Sequence, residues 1–273
     1  MLSFNSKKYL LQFLAEDIGK GDITSSLLPK RKITARIISR ENAIVAGTKH
    51  AREMFGIMGC SAKILRKDGS TVKQNQTVMT ITGDARKILA CERTALNLLT
   101  RMSGIATMTN SLVKKISNKK TKLYATRKTA PGLRVFDKEA VEIGGGKKHR
   151  LRLDEMVMIK DNHIAVGGSM LSLIKSAKKK HRKFEVEVEN IQDAVLAVKE
   201  GATIIMLDNF TPSQIKRAIQ TLKDQRLRDK VMIEASGGIT SKNISRYAET
   251  GVDIISVGSI TNSVKGIDMS LEI

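Results

Sequence analysis

The sequence predicts an α/β protein whose larger part is a (β/α) barrel, either complete or open on one side. First, short apolar runs recur after residue 120, and each of them ends in polar residues. Second, helix-like stretches lie between most of these runs, for example in 190–201 and 211–224. Third, six or seven such units follow one another. This alternation favours parallel strands with right-handed crossovers, so a barrel is predicted and an open doubly wound sheet is the alternative.

The segment before residue 105 has a different pattern. Strand-like pieces at 33–47, 61–69 and 77–84 are separated by turns that contain Gly or Asn. A helix pattern fills 48–58, and a longer one begins near Asp84. The apolar residues of the longer helix fit helical spacing loosely, which predicts burial on more than one side. The change of pattern near residue 105 indicates a domain boundary.

The apolar runs of the second part predict strands whose carboxyl ends carry polar residues, and active sites of such folds form at those ends. In chain order, the runs are 122–129, 156–162, 184–190, 203–210, 231–238 and 254–259. Their polar ends are Arg127 with Lys128, then Lys160, then Glu185, Glu187 and Glu189, then Asp208, then Glu234 with Ser236 to Gly238, and finally Gly258 with Ser259.

Cations flank the second of these strands on both sides. In the stretch GGGKKHRLRLDEMVMIKDNH (144–163), His149 and Arg150 precede the apolar residues and Lys160 follows them. With Arg127 and Lys128 from the first strand end, at least four cations are expected at one site. Such a set suits a ligand that has more than one carboxylate or phosphate.

Acidic residues from the third and fourth strands are expected to face these cations. In EVEVE (185–189), a period of two places the three glutamates on one face of the strand. A wet edge strand is the simpler explanation of such alternation, but strands of a parallel sheet are covered on both faces. Together with Asp208, these acids are candidates to hold sugar hydroxyls or a magnesium ion shared with phosphates.

Glycine-containing loops follow the last two predicted strands and suggest a phosphate-binding site. Residues 235–239 (ASGGI) and 256–260 (SVGSI) offer backbone N–H groups and the hydroxyls of Ser236 and Ser259. One such loop alone is usually a turn, but loops after the last two barrel strands commonly bind phosphate. No Walker loop or dinucleotide-binding glycine motif follows a strand. The residues alone predict a barrel enzyme that acts on a sugar phosphate and a polyanionic co-substrate.

The composition limits the other classes of function. Lys and Arg number 48 against 27 Asp and Glu, giving a formal charge of +21 over 273 residues. This charge favours anionic partners, although a solvated lysine-rich surface is the simpler explanation. The basic runs 114–122 and 178–183 lack interleaved aromatic residues, which make up 3% of the chain, so nucleic-acid binding is not predicted.

Cysteine content and hydropathy also exclude classes of site. Cys60 and Cys91 form no Cys-x-x-Cys motif, so neither a zinc site nor a disulfide framework is expected. The first 22 residues contain too short an apolar stretch for a signal peptide, and no run approaches the length of a membrane span. We expect a soluble, cytoplasmic protein.

Eight motifs, in order and covering nearly the whole chain, make the sequence resemble the quinolinate phosphoribosyltransferases, which are also called carboxylating nicotinate-nucleotide pyrophosphorylases. Each motif is weak alone, but the set is specific. The motifs are EDIGKGDITS (16–25), ERTALNLLTRMSGIAT (92–107), TRKTAPGLR (126–134), GGGKKHRLRLDEMVMIKDNH (144–163), EVEVEN (185–190), MLDNFTP (206–212), EASGGI (234–239) and SVGSIT (256–261).

The resemblance implies an N-terminal α/β sandwich domain in 1–105 and an open seven-stranded α/β barrel in 106–261, with the tail 262–273 expected to pack on the first domain. It implies a pentosyltransferase of de novo NAD biosynthesis. Quinolinate and 5-phosphoribosyl-1-pyrophosphate would give nicotinate mononucleotide, pyrophosphate and carbon dioxide, with Mg²⁺ as cofactor. It also implies a homodimer, or a hexamer built as a trimer of dimers, with the active site at the subunit interface.

The resemblance also assigns roles to single residues, and every one of these positions keeps the family pattern. Arg93 would be supplied by a neighbouring subunit. Thr126, Arg127, His149 and Arg150 would bind substrate, chiefly quinolinate. Lys128, Lys160, Glu187 and Asp208 would be catalytic and also contact substrate, the lysines near the pyrophosphate donor and the acids around the ribose and its Mg²⁺, with no residue assigned as a direct metal ligand. The phosphate loops would be Ser236, Gly237, Gly238, Val257, Gly258 and Ser259.

Two other functions remain as alternatives. A phosphoribosyltransferase-like paralogue associated with molybdate transport shares the fold and several motifs, although the intact IKDNH and TRKTAPGLR stretches favour the quinolinate enzyme. A basic nucleic-acid-binding protein would instead rest on the +21 charge. Its binding would be steeply salt-dependent and independent of the residues at the strand ends.

Overall fold

The computed structural model describes residues 6–116, 118 and 120–273. The helices are α1 (Ser6–Ile18), α2 (Thr48–Ile57), α3 (Ala85–Lys115), α4 (Arg134–Ile143), α5 (Asp161–Gly167), α6 (Met170–Lys180), α7 (Ile191–Glu200), α8 (Pro212–Asp224), α9 (Ile244–Ala248) and α10 (Ser259–Asn262). The strands are β1 (Lys32–Ser39), β2 (Ala43–Ile44), β3 (Ser61–Ile64), β4 (Thr71–Val72), β5 (Thr77–Asp84), β6 (Lys122–Tyr124), β7 (Val157–Ile159), β8 (Phe184–Val188), β9 (Ile204–Asp208), β10 (Met232–Ser236), β11 (Ile254–Ser256) and β12 (Met269–Glu272).

The chain divides into two units. The first contains Met1–Asn110, Glu139–Gly145 and Val264–Ile273, and the second contains Ser111–Lys138 and Gly146–Ser263. The division therefore falls five residues after the domain boundary predicted at 105. None of the helices within the described ranges combines the length and the apolar character that crossing a membrane requires.

The first unit is built on an antiparallel sheet in the order β12-β1-β5-β3. In β1, Ala35 and Ile37 are buried on one face, while the other face carries exposed polar residues up to the register shift between Ile37 and Ile38. Helix α2 buries one face, including Met54 and Phe55, which are fully covered. β12 extends the sheet by pairing with β1, so residues near the end of the chain complete a sheet that begins near residue 32.

The second unit is an open α/β barrel, as the sequence predicts. Its six parallel strands have the order β6-β11-β10-β9-β8-β7. The strands from β7 to β11 follow one another in chain order, and β6 lies beside β11, as closure of a barrel requires. A doubly wound sheet would instead reverse its order at a switch point.

The seventh strand position is represented by one bridge. Lys147 makes an isolated parallel bridge with Tyr124 on the free edge of β6. The extended conformation cannot continue beyond it, because His149 has a φ of +52°, in the left-handed region. The barrel therefore stays open between this segment and β7.

The crossover helices begin where the sequence provides caps. The Asn190 side chain accepts from the Asp193 N–H at the start of α7. Thr211 and Gln214 form a capping box at the start of α8, and Pro212 occupies its first turn. Asp208 is in register with Ser236 on the neighbouring strand. Their side chains therefore leave the sheet at the same level.

Candidate active site

A cavity of about 410 Å³ lies at the carboxyl ends of the parallel strands of the second unit. Strand ends from around the barrel contribute to it. Nine of the residues predicted from the sequence line it, namely Thr126, Arg127, Lys128, His149, Arg150, Lys160, Glu187, Asp208 and Ser236. Its size and its concentration of charged groups suit a small polyanionic ligand.

Six predicted residues are not part of this lining. Arg93 is exposed on α3 and belongs to the first unit. The other five belong to the loops after β10 and β11 and are Gly237, Gly238, Val257, Gly258 and Ser259. Their roles stay predictions.

Two arginines give the cavity its strongest donors. The Arg150 guanidinium donates from Nη1 to the Met156 carbonyl (2.8 Å) and from Nη2 to Met158 Sδ (3.4 Å). Burial lowers the pKa of Arg150, and the charge of Arg127 lowers it further. The Nε atoms of Arg127 and Arg150 are both buried, and neither has a hydrogen-bond partner among the described residues. Each guanidinium therefore keeps an unused donor, and the two positive charges repel each other.

Two lysines follow the two edge strands of the sheet, β6 and β7. Lys160 follows β7, and its Nζ forms a salt bridge with Glu187 Oε2. Its backbone N–H donates to His163 Nδ1 (3.0 Å), which fixes the start of α5. The Lys128 N–H donates to Thr126 Oγ1 (3.1 Å), while Thr261 Oγ1 donates to the Lys128 carbonyl (2.7 Å). Both lysine backbones are thus held by local hydrogen bonds, while their side chains line the cavity.

The acids at the mouth of the cavity differ in their partners. Glu187 is paired with Lys160, and its side chain is 13% exposed. Asp208 Oδ2 accepts from the Asn209 side-chain amide (2.7 Å). Asn209 adopts a φ of +57°, which Asn tolerates better than most residues, and this turn follows β9 directly.

A buried cluster lies deeper in the barrel. His149 Nε2 is 3.3 Å from Glu185 Oε2 and 3.4 Å from Glu234 Oε2. Burial acts to lower the pKa of His149, but hydrogen bonding and the charges of the two glutamates outweigh it and raise that pKa to about 9. Burial and the nearby Glu234 raise the pKa of Glu185.

The loop after β10 has a backbone that demands glycine. Gly237 has a φ of +88°, and a Cβ there would lie 2.1 Å from Asn209 Oδ1. Gly238 has a φ of +60° and free space at the Cβ position. After β11, a Cβ on Gly258 would approach Lys128 Cδ to 3.0 Å. Glycine at 237 is therefore required by the fold itself, in addition to any ligand.

The structure also adds residues that the sequence did not single out. Ala125, Met158, Met206, Glu234 and Ser256 line the cavity. Glu234 was noted as a strand end, but its burial could not be derived from the pattern. The other four, three apolar residues and Ser256, lie within strands or directly after them, and a strict inward–outward alternation along each strand could have suggested them.

Lys138 is a further residue that sequence reasoning missed. It lies on α4 and is completely buried, and its Nζ donates to the carbonyls of Lys148 and Arg150. Burial lowers its pKa to about 8. The two carbonyls flank His149, so Lys138 holds the turn that carries both His149 and Arg150.

Known proteins resemble the chain in sequence and structure over nearly its full length. The family described as quinolinate phosphoribosyl transferase, C-terminal domain, matches residues 105–272, and the corresponding N-terminal domain family matches 22–103. A protein of Methanothermobacter thermautotrophicus named probable nicotinate-nucleotide pyrophosphorylase (carboxylating) is 44% identical, covering 96% of each chain. Its counterpart of the same name in Bacillus subtilis is 38% identical, over 98% of this chain and 93% of the relative.

A solved structure agrees with these relatives. The nicotinate-nucleotide pyrophosphorylase from Francisella tularensis superposes with a TM-score of 0.91 at 41% sequence identity, covering 98% of this chain and 95% of that one. The two matching domain families, the relatives that align over nearly the whole chain and the matching fold therefore indicate the same family. The chain belongs to the quinolinate phosphoribosyl transferase family.

Proposed function

We propose that this protein converts quinolinate and 5-phosphoribosyl-1-pyrophosphate to nicotinate mononucleotide, pyrophosphate and carbon dioxide, as a step of de novo NAD biosynthesis. Family membership supports the reaction class. The observation that carries the substrate assignment is the pair of buried, unpartnered Nε donors of Arg127 and Arg150.

The argument from these donors is energetic. A buried donor without an acceptor costs about 1–3 kcal/mol, and the charges of the two guanidiniums repel each other. A ligand with two neighbouring carboxylates relieves both costs at once, because each guanidinium gains a charge-assisted hydrogen bond. Quinolinate carries its carboxylates on adjacent ring atoms. A monocarboxylate such as nicotinate would leave one guanidinium unsatisfied.

The ribosyl donor would occupy the side of the cavity formed by Lys128, Lys160, Glu187 and Asp208. When pyrophosphate leaves, positive character develops at the anomeric carbon, and the two carboxylates stabilise it. The lysines neutralise the departing pyrophosphate. Since Lys160 is paired with Glu187 in this structure, substrate binding would divide that pair between an anion and an electron-poor sugar.

Decarboxylation uses the cationic side of the same cavity. When the 2-carboxylate leaves as carbon dioxide, the bonding electron pair stays on the ring carbon, which then takes a proton from solvent. The positive ring nitrogen and the nearby Arg127 and Arg150 stabilise that charge as it develops. The same cations therefore serve both recognition and the second chemical step.

Mg²⁺ would enter with the phosphoribosyl pyrophosphate. Carboxylate and phosphate oxygens are the donors that this ion prefers, so the acids at the mouth of the cavity fit it without being assigned as direct ligands. The ion would neutralise the pyrophosphate as it leaves. The phosphate of the ribosyl donor would lie against the loops of Ser236 to Gly238 and Val257 to Ser259, whose glycines allow close approach of the backbone.

Arg93 would act across a subunit interface, in a homodimer or in a hexamer built from dimers. Its exposure on α3, and the lining of the cavity by residues of the second unit, support this assignment. Arg93→Ala and Lys160→Ala variants should each be nearly inactive, while co-refolded mixtures should regain activity in one site of each mixed dimer. No recovery, in mixtures shown by mass spectrometry to contain mixed dimers, would contradict the assignment.

The comparisons lend no support to the molybdate-transport paralogue or to a nucleic-acid-binding protein. The decisive test is a product assay with purified protein, quinolinate, phosphoribosyl pyrophosphate and Mg²⁺, with nicotinate as the matched control substrate. We expect nicotinate mononucleotide and carbon dioxide from quinolinate. Equal turnover of nicotinate would contradict the two-carboxylate pocket, and no turnover of quinolinate would refute the function.

A further inference from the structure

Both ring nitrogens of His149 are already engaged by the protein. The Arg150 N–H donates to Nδ1 (2.8 Å). Nε2 faces Glu185 Oε2 and Glu234 Oε2 at 3.3 and 3.4 Å. A neutral imidazole has one donor and one acceptor, so the observed contacts use its whole capacity. The side chain is only 7% exposed, and its ring meets the edge of Tyr124 at a centroid distance of 5.8 Å. No polar atom of His149 is left for a substrate carboxylate.

The two glutamates below His149 need a proton. Both side chains are fully buried. None of their four oxygens makes a well-formed hydrogen bond to a described residue. Two uncompensated carboxylates in such a place would be strongly destabilising, and two like charges at one site favour retention of a proton. With Nδ1 accepting a hydrogen bond, His149 is neutral and carries its proton on Nε2 toward both carboxylates, so the additional proton that the unit retains lies on the glutamate pair.

We infer that His149, Glu185 and Glu234 form a buried unit that retains a proton and fixes the turn at 148–150, so that Glu185 and Glu234 are positioning residues for quinolinate recognition by Arg150. In this arrangement, His149 acts through the turn instead of touching the substrate. The inference rests on the proposed function for the identity of the substrate.

The turn is held from two sides. Lys138 binds the carbonyls of residues 148 and 150 from α4, and the buried unit binds the imidazole of residue 149 from the barrel interior. Between these anchors, His149 adopts its left-handed backbone conformation, and the Arg150 guanidinium is directed to the Met156 carbonyl and the cavity. Loss of either anchor would release the arginine from its position.

The charges around the unit are consistent with proton retention. The pKa of His149 is raised to about 9 although burial alone would lower it, and the pKa of Glu185 is raised by burial. Both shifts favour retention of a proton in the unit. Besides its own His149, Glu185 and Glu234, the unit is faced by Tyr124 on β6, Arg150 in the turn and Lys160 after β7.

A metal ion is the competing explanation for the same three side chains. Their ligand-type atoms lie within 4.8 Å of one another, and one His with two carboxylates is a common set for a divalent transition metal. A proton explains the cluster without an ion, because the His149 Nε2–H already lies between the two carboxylates. Elemental analysis separates the two explanations.

The first experiment follows the histidine by NMR. The chain has four histidines, and His149→Asn assigns the resonances of His149 while suiting its left-handed backbone. We expect no titration step near the ordinary histidine pKa of about 6.5, and one step near 9, reported by the His149 ring, where the coupled unit loses its retained proton. In Glu234→Gln and Glu185→Gln, which lose a negative charge, this step should move down by about one pH unit or more. A wild-type step near 6.5, or a step unmoved in both variants, would overturn the inference.

The second experiment separates positioning from direct binding. Glu185→Gln and Glu234→Gln should each raise KM for quinolinate about tenfold, as expected when one hydrogen-bonded anchor is lost, with little change in KM for phosphoribosyl pyrophosphate. Glu249→Gln, at an exposed glutamate just after α9, is the matched control and should leave both constants unchanged. If His149→Asn raises KM for quinolinate while both glutamine variants do not, His149 binds the substrate directly and the inference is wrong.

Elemental analysis of the purified protein completes the test. A stoichiometric metal in the wild-type protein that is absent from His149→Asn would show that the three side chains hold a metal ion. The inference of a buried proton would then be wrong. The NMR measurement requires no substrate, so it stays decisive for the buried unit even if quinolinate is not turned over. In that case the proposed function, and with it the positioning role, would fail while the protonation of the unit would still be measured.

Discussion

Glu185 and Glu187 lie two residues apart on the same strand, yet their surroundings differ. Glu185 is sealed in the barrel and faces His149 and Glu234. Glu187 lies nearer the strand end, is partly exposed and pairs with Lys160. The sealed acid depends on a proton that it shares with its neighbours. Glu187, near the mouth of the cavity, is paired with a lysine that can bind an incoming anion instead. The position of a carboxylate along the strand therefore determines whether it stabilises the fold or contacts the ligand.

The residues at the mouth of the cavity, among them Lys160 and Glu187, form an open layer. Removing the lysine of this open layer should have the largest effect on activity. Lys160→Ala removes a cation that contacts Glu187 at the cavity, and loss of one such preorganised charge lowers kcat by about 10²–10³-fold. The fold should survive, because the Lys160 side chain is 36% exposed. Steady-state kinetics and thermal denaturation check this together. A fall in stability that accounts for the lost activity would contradict the division between the two layers.

The sealed layer, formed by His149, Glu185 and Glu234, should be visible in the pH dependence of stability. The folded-state pKa of His149, about 9, lies above its ordinary value, so its stabilisation is complete below about 6.5 and is lost as pH rises through 9. The free energy of unfolding should fall by on the order of 3 kcal/mol across this window. Denaturant titrations at several pH values measure it. His149→Asn should flatten the curve, and an identical slope in that variant would contradict the assignment.

Lys138→Met tests the other anchor of the same turn. The substitution leaves the carbonyls of Lys148 and Arg150 without their buried donor, at a cost of about 2 kcal/mol. We expect a lower denaturation midpoint and a higher KM for quinolinate, with KM for phosphoribosyl pyrophosphate nearly unchanged. Lys178→Met, at an exposed position on α6, is the matched control. Equal changes in both KM values would show that Lys138 supports the barrel generally.

Of the four predicted changes, Gly237→Val should have the smallest effect on quinolinate binding. A side chain at 237 meets Asn209 and has an unfavourable φ, which costs about 1–2 kcal/mol of local strain. Calorimetry should show weaker binding of phosphoribosyl pyrophosphate and little change for quinolinate. Gly238→Ala, where a Cβ meets no atom, is the milder comparison. The opposite ranking of the two ligands would mean that the phosphate loop is misplaced.

The sequence predicted the open layer well because strand order and polar ends suffice to find it. Arg127, Lys128, Lys160, Glu187 and Asp208 follow or end apolar runs, and parallel strands bring such residues to one edge. Alternation also predicted that Glu185 and Glu187 share a face. Their roles in binding and catalysis stay predictions, since geometry places side chains but does not measure turnover.

The sealed layer could not be predicted, because its depth depends on pairing between distant segments. A period of two gives the face of a residue but not its distance from the mouth of the barrel. Lys138 lies on a helix with charged neighbours and has the sequence pattern of a solvent-exposed lysine. The turn below it follows from the left-handed conformation of His149, which a non-glycine residue adopts only where its surroundings hold it.

The pairing of β12 with β1 has a consequence for how the chain acquires its structure during synthesis. Arg40 donates from Nε to Ser270 Oγ, a residue 230 positions away. The edge of β1 that pairs with β12 therefore stays unpaired until the ribosome has made the entire barrel. An exposed strand edge is prone to pair with other chains. Nascent chains halted before residue 269 would present that edge to their neighbours, which makes chaperone protection most important during this interval.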